Sequence, residues 1–348
     1  MAIGGFHALR VAAVDRLCAD AVAVTLDVPG ELAERFAFRP GQSLTVRRAD
    51  ERRTYSICAP AGGAPRIGVR EVPGGVISGW IVHDLRPGDE LEVAPPSGTF
   101  TPDLTAGGRH VLIAAGSGIT PVLSIVASLL REPDAEVVLL YGNRRTDTVM
   151  FAEELADLKD RYPARLELVH VLSREPREAD LFSGRLDAAR LRELLPLLID
   201  VAAVEHWWLC GPFGMVTDAT GVLAEAGVAP ERIHRELFWV DEAPPEPVRP
   251  EPESRGPSSE ITVRLDGRAT TVTVEEGMTV LDGVQRSRPD LPFACKGGVC
   301  GTCRARVVEG DVTMRRNFAL EAAELAAGFV LTCQSLATSP KVVVDFDE

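Results

Sequence analysis

Over its first hundred residues the chain alternates short apolar runs with turn signals such as Val28-Pro29-Gly30, Arg86-Pro87-Gly88 and Pro95-Pro96-Ser97-Gly98. That pattern predicts short antiparallel strands closing into a barrel, with little helix. From about residue 108 the period changes. The β-branched runs RHVLIAAG, EVVLLYG, RLELVHVLS and HWWLCG alternate with longer runs of helical spacing, TPVLSIVASLLR, VMFAEELADLKDRY and DAARLRELLPLL. Strand and helix in turn predict a doubly wound parallel sheet. Residues 241–259 then carry six prolines and one large apolar residue, Val248, the composition of an extended linker. Beyond it, ITVRLDGRATTVTVEEG reads as a hairpin, TVLDGVQRS as a short helix and VVVDFDE as a closing strand. The expected architecture is multidomain: an antiparallel β-barrel over 1–104, an α/β doubly wound domain over 105–240, the linker over 241–259 and a small α+β domain over 260–348.

Val111 to Leu130 is twenty residues without a charge, long enough to span a bilayer. The Gly116-Ser117-Gly118 turn and the Thr120-Pro121 pair interrupt it, so it reads as a buried strand, a turn and a helix. No membrane partner is expected. The 51 acidic residues outnumber the 37 basic ones, for a net charge of −14, which would repel phosphate backbones and argues against nucleic acid. The opening MAIGGFHALR has no apolar stretch of a secretory signal, and the seven cysteines are odd in number and clustered. Both features lead us to expect a reducing, cytoplasmic setting.

Cys295, Cys300 and Cys303 stand at C-x4-C-x2-C, and Cys333 follows after twenty-nine residues. This is the spacing of plant-type [2Fe-2S] ferredoxins. Four thiolates must converge on two irons, and Gly297, Gly298 and Gly301 allow the backbone to fold tightly enough to aim them. A structural zinc site is the alternative, but zinc favours paired C-x2-C arms over one tight loop meeting a distant cysteine. Cys18 reads as a compact apolar filler.

The barrel segment holds Arg53-Thr54-Tyr55-Ser56 and then Gly74-Gly75-Val76-Ile77-Ser78. The α/β segment holds Gly116-Ser117-Gly118-Ile119-Thr120-Pro121 between a strand and a helix, and Cys210-Gly211-Pro212 at the end of a later strand. A glycine-rich turn before a helix lets a phosphate reach free N–H groups. With these motifs in this order the chain resembles the ferredoxin-NADP reductase family, and the order barrel, nucleotide domain, ferredoxin is shared by several oxygenase reductases. The resemblance implies FAD on Arg53, Thr54, Tyr55 and Ser56, with the Arg53 guanidinium on the flavin phosphate, Tyr55 against the isoalloxazine and Ser56 near its reactive edge. It puts the pyrophosphate at a helix opened by Gly75, Val76, Ile77 and Ser78. It sets NADPH against Gly116, Gly118, Thr120, Pro121, Cys210, Gly211 and Pro212, with Thr120 near the flavin and Cys210 beside the nicotinamide. Tyr55, Ser56 and Cys210 are then the candidate catalytic residues, and Cys295, Cys300, Cys303 and Cys333 hold a [2Fe-2S] cluster in a β-grasp ferredoxin domain. Family members that use NADPH place basic groups for the 2′-phosphate after these strands, which selects Arg144, Arg174 and Arg185, with Arg145 able to share the first role.

Glu231-Arg232-Ile233-His234 forms a single E-x-x-H, but a di-iron bundle needs two on long facing helices, and Rieske pairs and G-x-S-x-G are absent from the sequence. The chain is therefore expected to deliver electrons to oxygenase subunits of a multicomponent monooxygenase rather than to use them itself. An NADH-dependent oxygenase reductase is one alternative reading. A non-enzymatic iron-sulfur carrier or sensor is another, which the flavin and nucleotide motifs oppose.

Overall fold

The computed structural model describes residues 5–49, 51–239, 258–320 and 322–347. Apart from its last two residues, the proline-rich linker lies outside them. The described residues form two compact units. The larger comprises residues 8–48 and the described part of 55–241, and the smaller the described parts of 1–7, 49–54 and 242–348. The short segment 49–54 was not legible as part of the C-terminal unit.

Strands β1 (His7–Cys18), β2 (Ala21–Asp27), β3 (Ser43–Arg48), β4 (Glu51–Ser56), β5 (Arg66–Arg70) and β6 (Glu90–Val93) form one sheet of order β4-β3-β6-β1-β2-β5, with helix α1 (Val76–His83) after β5. An antiparallel bridge between Ile57 and Ile67 joins the two ends of this order and closes the barrel. Its interior is filled by alternate residues of each strand, among them Leu9, Val11, Val22, Val24, Leu44, Val46, Ile67 and Val69, all buried.

The α/β region runs β7 (Gly108–Ala115), α2 (Ile119–Leu129), β8 (Ala135–Asn143), α3 (Ala152–Arg161), β9 (Leu166–Leu172), α4 (Ala188–Leu198), β10 (His206–Pro212), α5 (Phe213–Glu225) and β11 (Ile233–Trp239). Its five parallel strands lie in the order β11-β10-β7-β8-β9, so the chain reverses direction across the sheet between β7 and β10. The uncharged stretch from Val111 to Leu130 is explained here: β7 is covered on both faces, and every residue of α2 except Ala127 is buried. Among the described residues no helix is long and apolar enough to cross a membrane. Barrel and helix are pinned by Ser124 Oγ, which donates to the Ala59 carbonyl at 2.6 Å, and by the Ala61 N–H, which donates to Ser128 Oγ at 3.0 Å.

The smaller unit contains β12 (Ser259–Leu265), β13 (Arg268–Val274), α6 (Val280–Gln285), β14 (Arg304–Glu309), β15 (Val312–Met314), α7 (Ala322–Ala326), β16 (Phe329–Leu331), β17 (Ser335–Ala337) and β18 (Lys341–Asp345). The expected hairpin is β12–β13, the expected short helix α6 and the closing strand β18, which pairs parallel to β12 in a sheet of order β13-β12-β18-β14-β16. Asp266 and Gly267, both at positive φ, make the two-residue hairpin turn.

At the amino ends of β7, β10 and β11, away from the strand ends where such sheets bind ligands, three histidines meet. Trp208 Nε1 donates to His110 Nδ1 at 3.3 Å, which leaves the His110 Nε2 proton to donate to the Gly107 carbonyl at 2.9 Å. His206 Nδ1 lies 3.2 Å from His234 Nε2. Burial lowers the pKa of His110 and His206, with help from their histidine neighbours against the opposing charge of Glu205; Arg232 also lowers His206. A lowered histidine pKa means that below 6.5 the unfolded chain takes protons that the fold refuses, so stability is full above that pH and declines as pH falls through the window beneath it. We expect calorimetry to show the larger unit's melting temperature dropping as pH falls below 6.5, and His206→Gln to flatten that slope; a wild-type slope unchanged in the variant would refute the assignment.

Candidate functional sites

The reversal between β7 and β10 opens the crevice at which open α/β sheets bind ligands. Both glycine motifs fall there. Gly116 has φ +56°, and the Tyr141 hydroxyl donates to its carbonyl at 3.0 Å from the middle of β8. A Cβ on Gly118 would sit 2.2 Å from the Cys210 carbonyl oxygen, so only glycine lets the turn lie against the end of β10. Gly211 has φ +156° and Pro212 ends the strand, leading into α5. The Gly-Ser-Gly turn and the N-terminus of α2 thus stand ready for a phosphate. Thr120 is enclosed: its hydroxyl donates to the Ser117 carbonyl at 3.0 Å and its methyl faces Gly68 of β5, so it braces the turn.

Asn143, at the carboxyl end of β8, was not anticipated. It is 8% exposed and near the Tyr141 hydroxyl, yet neither amide atom completes a hydrogen bond among the described residues. A buried amide left over at this end of the sheet suits a polar ligand group. Beyond it the predicted arginines gather. The Arg174 N–H donates to the Arg144 carbonyl at 2.8 Å, and the Gly184 N–H to the Leu172 carbonyl at 2.9 Å, which brings the Arg185 loop beside β9. Arg144, Arg174 and Arg185 are exposed and form no ion pair among the described residues, whereas Arg145 is engaged with Asp147 at 2.9 Å.

On the barrel side, Ser56 Oγ donates to Glu236 Oε2 at 3.2 Å, and Glu236 stands in register with Cys210 across β10 and β11. Sequence reasoning missed Glu236. Burial pushes its carboxyl up to about 8, against the lowering effect of Ser56, so it holds a proton at neutral pH. Part of its surface stays open, which is where a bound group would reach it. Burial first, and then Glu236, pushes the Cys210 thiol well up, so it is a neutral thiol and no nucleophile. Tyr55 packs against the barrel core. α1 begins at Gly75 with no side-chain cap, leaving its first N–H groups for a ligand. Val76 is exposed, but Ile77 and Ser78 point inward: Ser78 Oγ accepts from the Val72 N–H at 3.1 Å and donates to the Gly75 carbonyl at 3.4 Å, closing the loop from within. The other half of the R-T-Y-S run belongs to the smaller unit, where Arg53 is folded onto the Arg52 carbonyl and Glu51, and the Thr54 hydroxyl lies 3.1 Å from that of Thr302.

In the smaller unit the four cysteines come together in twos, Cys295 with Cys300 and Cys303 with Cys333, and each pair feels the other. Among the described residues no three His, Cys, Asp or Glu side chains suit a single ion. Two pairs of thiols match the two irons of a [2Fe-2S] cluster. The Cys300 thiol, then the N–H groups of Gly297, Val299 and Cys300, hold Cys295 down to about 5; the Gly297 N–H lies 3.3 Å from its sulfur. Cys333 is lowered by Cys303 first, then by the Gly298 N–H and the Gln334 amide.

A model of the oxidoreductase NAD-binding domain matches residues 112–221, and one of the 2Fe-2S iron-sulfur cluster binding domain matches residues 263–338. The chain is 41% identical to a subunit of 1,2-phenylacetyl-CoA epoxidase from Escherichia coli (strain K12), over 98% of both proteins. It is 33% identical to the ferredoxin reductase component of 3-ketosteroid-9-alpha-monooxygenase from Rhodococcus rhodochrous, over 97% of this chain and 96% of that one. Among solved structures, phthalate dioxygenase reductase, a modular structure for electron transfer from pyridine nucleotides to [2Fe-2S], superposes with a TM-score of 0.61 at 24% identity over 98% of each chain.

A raised carboxyl pKa makes the unfolded chain ionise first. Stability tied to Glu236 is full below 4.5 and falls as pH rises toward 8. We expect Glu236→Gln to melt at nearly the wild-type temperature at pH 4.5 and progressively above it as pH rises to 8. A constant offset across that range would show that Glu236 does not change its charge on folding.

Proposed function

We propose, from the premise that this chain belongs to the family of flavin- and iron-sulfur-dependent reductase components of oxygenases, that it draws electrons from NADPH for an oxygenase that epoxidises phenylacetyl-CoA. The observation that carries the partner is the 41% identity, over 98% of both chains, to a component of such an epoxidase, against 33% for the ketosteroid component. The family's route is NADPH to FAD to [2Fe-2S] to the oxygenase, and we place it in the cytoplasm.

The chemistry FAD supplies when bound is the splitting of a hydride's electron pair into single electrons. The chain's own residues set the conditions. We assign the N-terminus of α1, from Gly75, to the flavin pyrophosphate, and the turn Gly116–Gly118 with the N-terminus of α2 to that of NADPH. Tyr55 and Ser56 would line the flavin, and Arg53 would have to leave the Arg52 carbonyl to reach its phosphate. Glu236, protonated at neutral pH, keeps a proton within reach of Ser56 Oγ at the reacting edge. Cys210, neutral and enclosed, gives the nicotinamide an uncharged wall. Cys295, Cys300, Cys303 and Cys333 would bind the cluster. We also propose that the flavin barrel, nucleotide domain and ferredoxin divide at residues 1–104, 105–240 and 260–348, which is supported by the first two sheets lying within their segments and the third beginning at Ser259.

The deciding experiment is turnover of phenylacetyl-CoA by purified oxygenase subunits given this chain and NADPH. Product formation that requires this chain supports the assignment, and none, in the presence of active ferricyanide reduction, would move the partner elsewhere.

Coenzyme choice is tested separately. Hydrogen bonds to charged groups contribute about 1.5 to 3 kcal/mol, and about 1.4 kcal/mol is tenfold in affinity. Arg174→Ala or Arg185→Ala should raise the Michaelis constant for NADPH roughly tenfold while leaving that for NADH nearly unchanged. Equal losses for both coenzymes would mean that these arginines support the fold or the shared pyrophosphate, and a wild-type preference for NADH would overturn the choice.

A further inference from the structure

Residue 334 follows the last cysteine and is 1% exposed. The Gln334 side chain reaches across to the cysteine loop, where Nε2 donates to the Lys296 carbonyl at 2.8 Å and to the Cys333 carbonyl at 3.0 Å, and lies 3.8 Å from Cys333 Sγ. A reversed amide would set its oxygen against two carbonyl oxygens, so the geometry fixes which end is nitrogen. Its Cγ would lie 3.1 Å from a Cβ on Gly298, so the side chain runs flat along the loop.

What it holds is a strained turn. Lys296, between Cys295 and Gly297, has φ +50°, a left-handed conformation that a side chain disfavours. Two anchors keep it there. Its ammonium binds Asp282 Oδ1 at 2.8 Å and Gln285 Oε1 at 2.9 Å on α6, and its carbonyl is held by Gln334. The turn in turn places the Gly297 N–H 3.3 Å from Cys295 Sγ.

We propose that Gln334 is a positioning residue for the iron-sulfur cluster, clamping the Lys296 turn so that its N–H groups face Cys295 sulfur while its own amide lies against Cys333. This rests on the reading of the four cysteines as [2Fe-2S] ligands. N–H groups aimed at ligand sulfur stabilise the more negative, reduced cluster. One side chain thereby sets the electron affinity at both ends of the ligand set.

The test uses the full-length holoprotein and reads iron content, the electron paramagnetic resonance spectrum of the reduced cluster and its midpoint potential. Gln334→Met keeps the volume and removes the donors. It should shift the equilibrium against reduction on the order of tenfold, a fall of about 59 mV for one electron, with a changed spectrum. Lys296→Gly added to Gln334→Met relieves the left-handed strain, so it should restore iron content if the single variant loses any, while leaving the potential low. Ser335→Ala removes a buried hydrogen bond to the Leu331 carbonyl that touches neither loop nor sulfur, and should lower the melting temperature without moving the potential. A wild-type potential and spectrum in Gln334→Met, or in the double variant where the single one does not load, would overturn the proposal. A wild-type protein that carries no [2Fe-2S] cluster would instead overturn the reading beneath it, and turnover with the oxygenase bears on neither.

Discussion

The carbonyl oxygen of Cys210 lies 2.2 Å from where a Cβ on Gly118 would stand, and the shape of the crevice between β7 and β10 depends on that approach. It brings the turn after β7 against the end of β10, at the one place in the sheet where neighbouring strands send their connections in opposite directions. On the other side of β10, the parallel pairing with β11 sets Cys210 beside Glu236. Tyr141 fixes the turn from one side through the Gly116 carbonyl, and Thr120 braces it from within through the Ser117 carbonyl. These contacts are local, but they decide which backbone N–H groups face the crevice.

Burial acts on this region with a consistent sign. Glu236 and Cys210 are both pushed toward their protonated forms, so neither adds a negative charge next to a site whose ligands carry phosphates. Three arginines, by contrast, lie exposed on the loops after β8 and β9. Enclosure thus favours a neutral floor for the crevice.

Much of this was legible in the chain because it is written in spacing. The four cysteines, the Gly-Ser-Gly turn after an apolar run, the Cys-Gly-Pro strand end and the arginines after β8 and β9 carry their meaning in sequence neighbours. Glu236 does not. It sits in HRELF, twenty-six residues from Cys210, where a carboxylate reads as a solvent-facing strand position; only the parallel register of β10 and β11 joins the two. The strand itself gave no signal, because Glu236 follows His234 and Arg235 in a run of polar residues. Ser78 was expected only as part of the helix opening, and its hydroxyl closes the loop before α1 from within. Gln334 was hidden for a third reason, because its partner Lys296 is thirty-eight residues away and the contact is to a carbonyl, which leaves no mark on residue choice at 296.

The same residue type serves opposite ends in the two units. Cys210 is driven up by its burial and then by Glu236; Cys295 is held down to about 5 by the Cys300 thiol first and then by backbone N–H groups. Burial raises both and decides the sign at Cys210, whereas at Cys295 the Cys300 thiol and the N–H groups outweigh it. In the C-terminal loop, Lys296, Gly298 and Gly301, all at positive φ, turn the backbone so that amides also face the Cys295 sulfur. A thiol in the first setting stays a thiol. In the second setting one thiol of each pair, Cys295 and Cys333, is lowered while its partner, Cys300 or Cys303, is raised. Irregular backbone is thus the physical requirement of the cluster site, and regular parallel strands that of the nucleotide site.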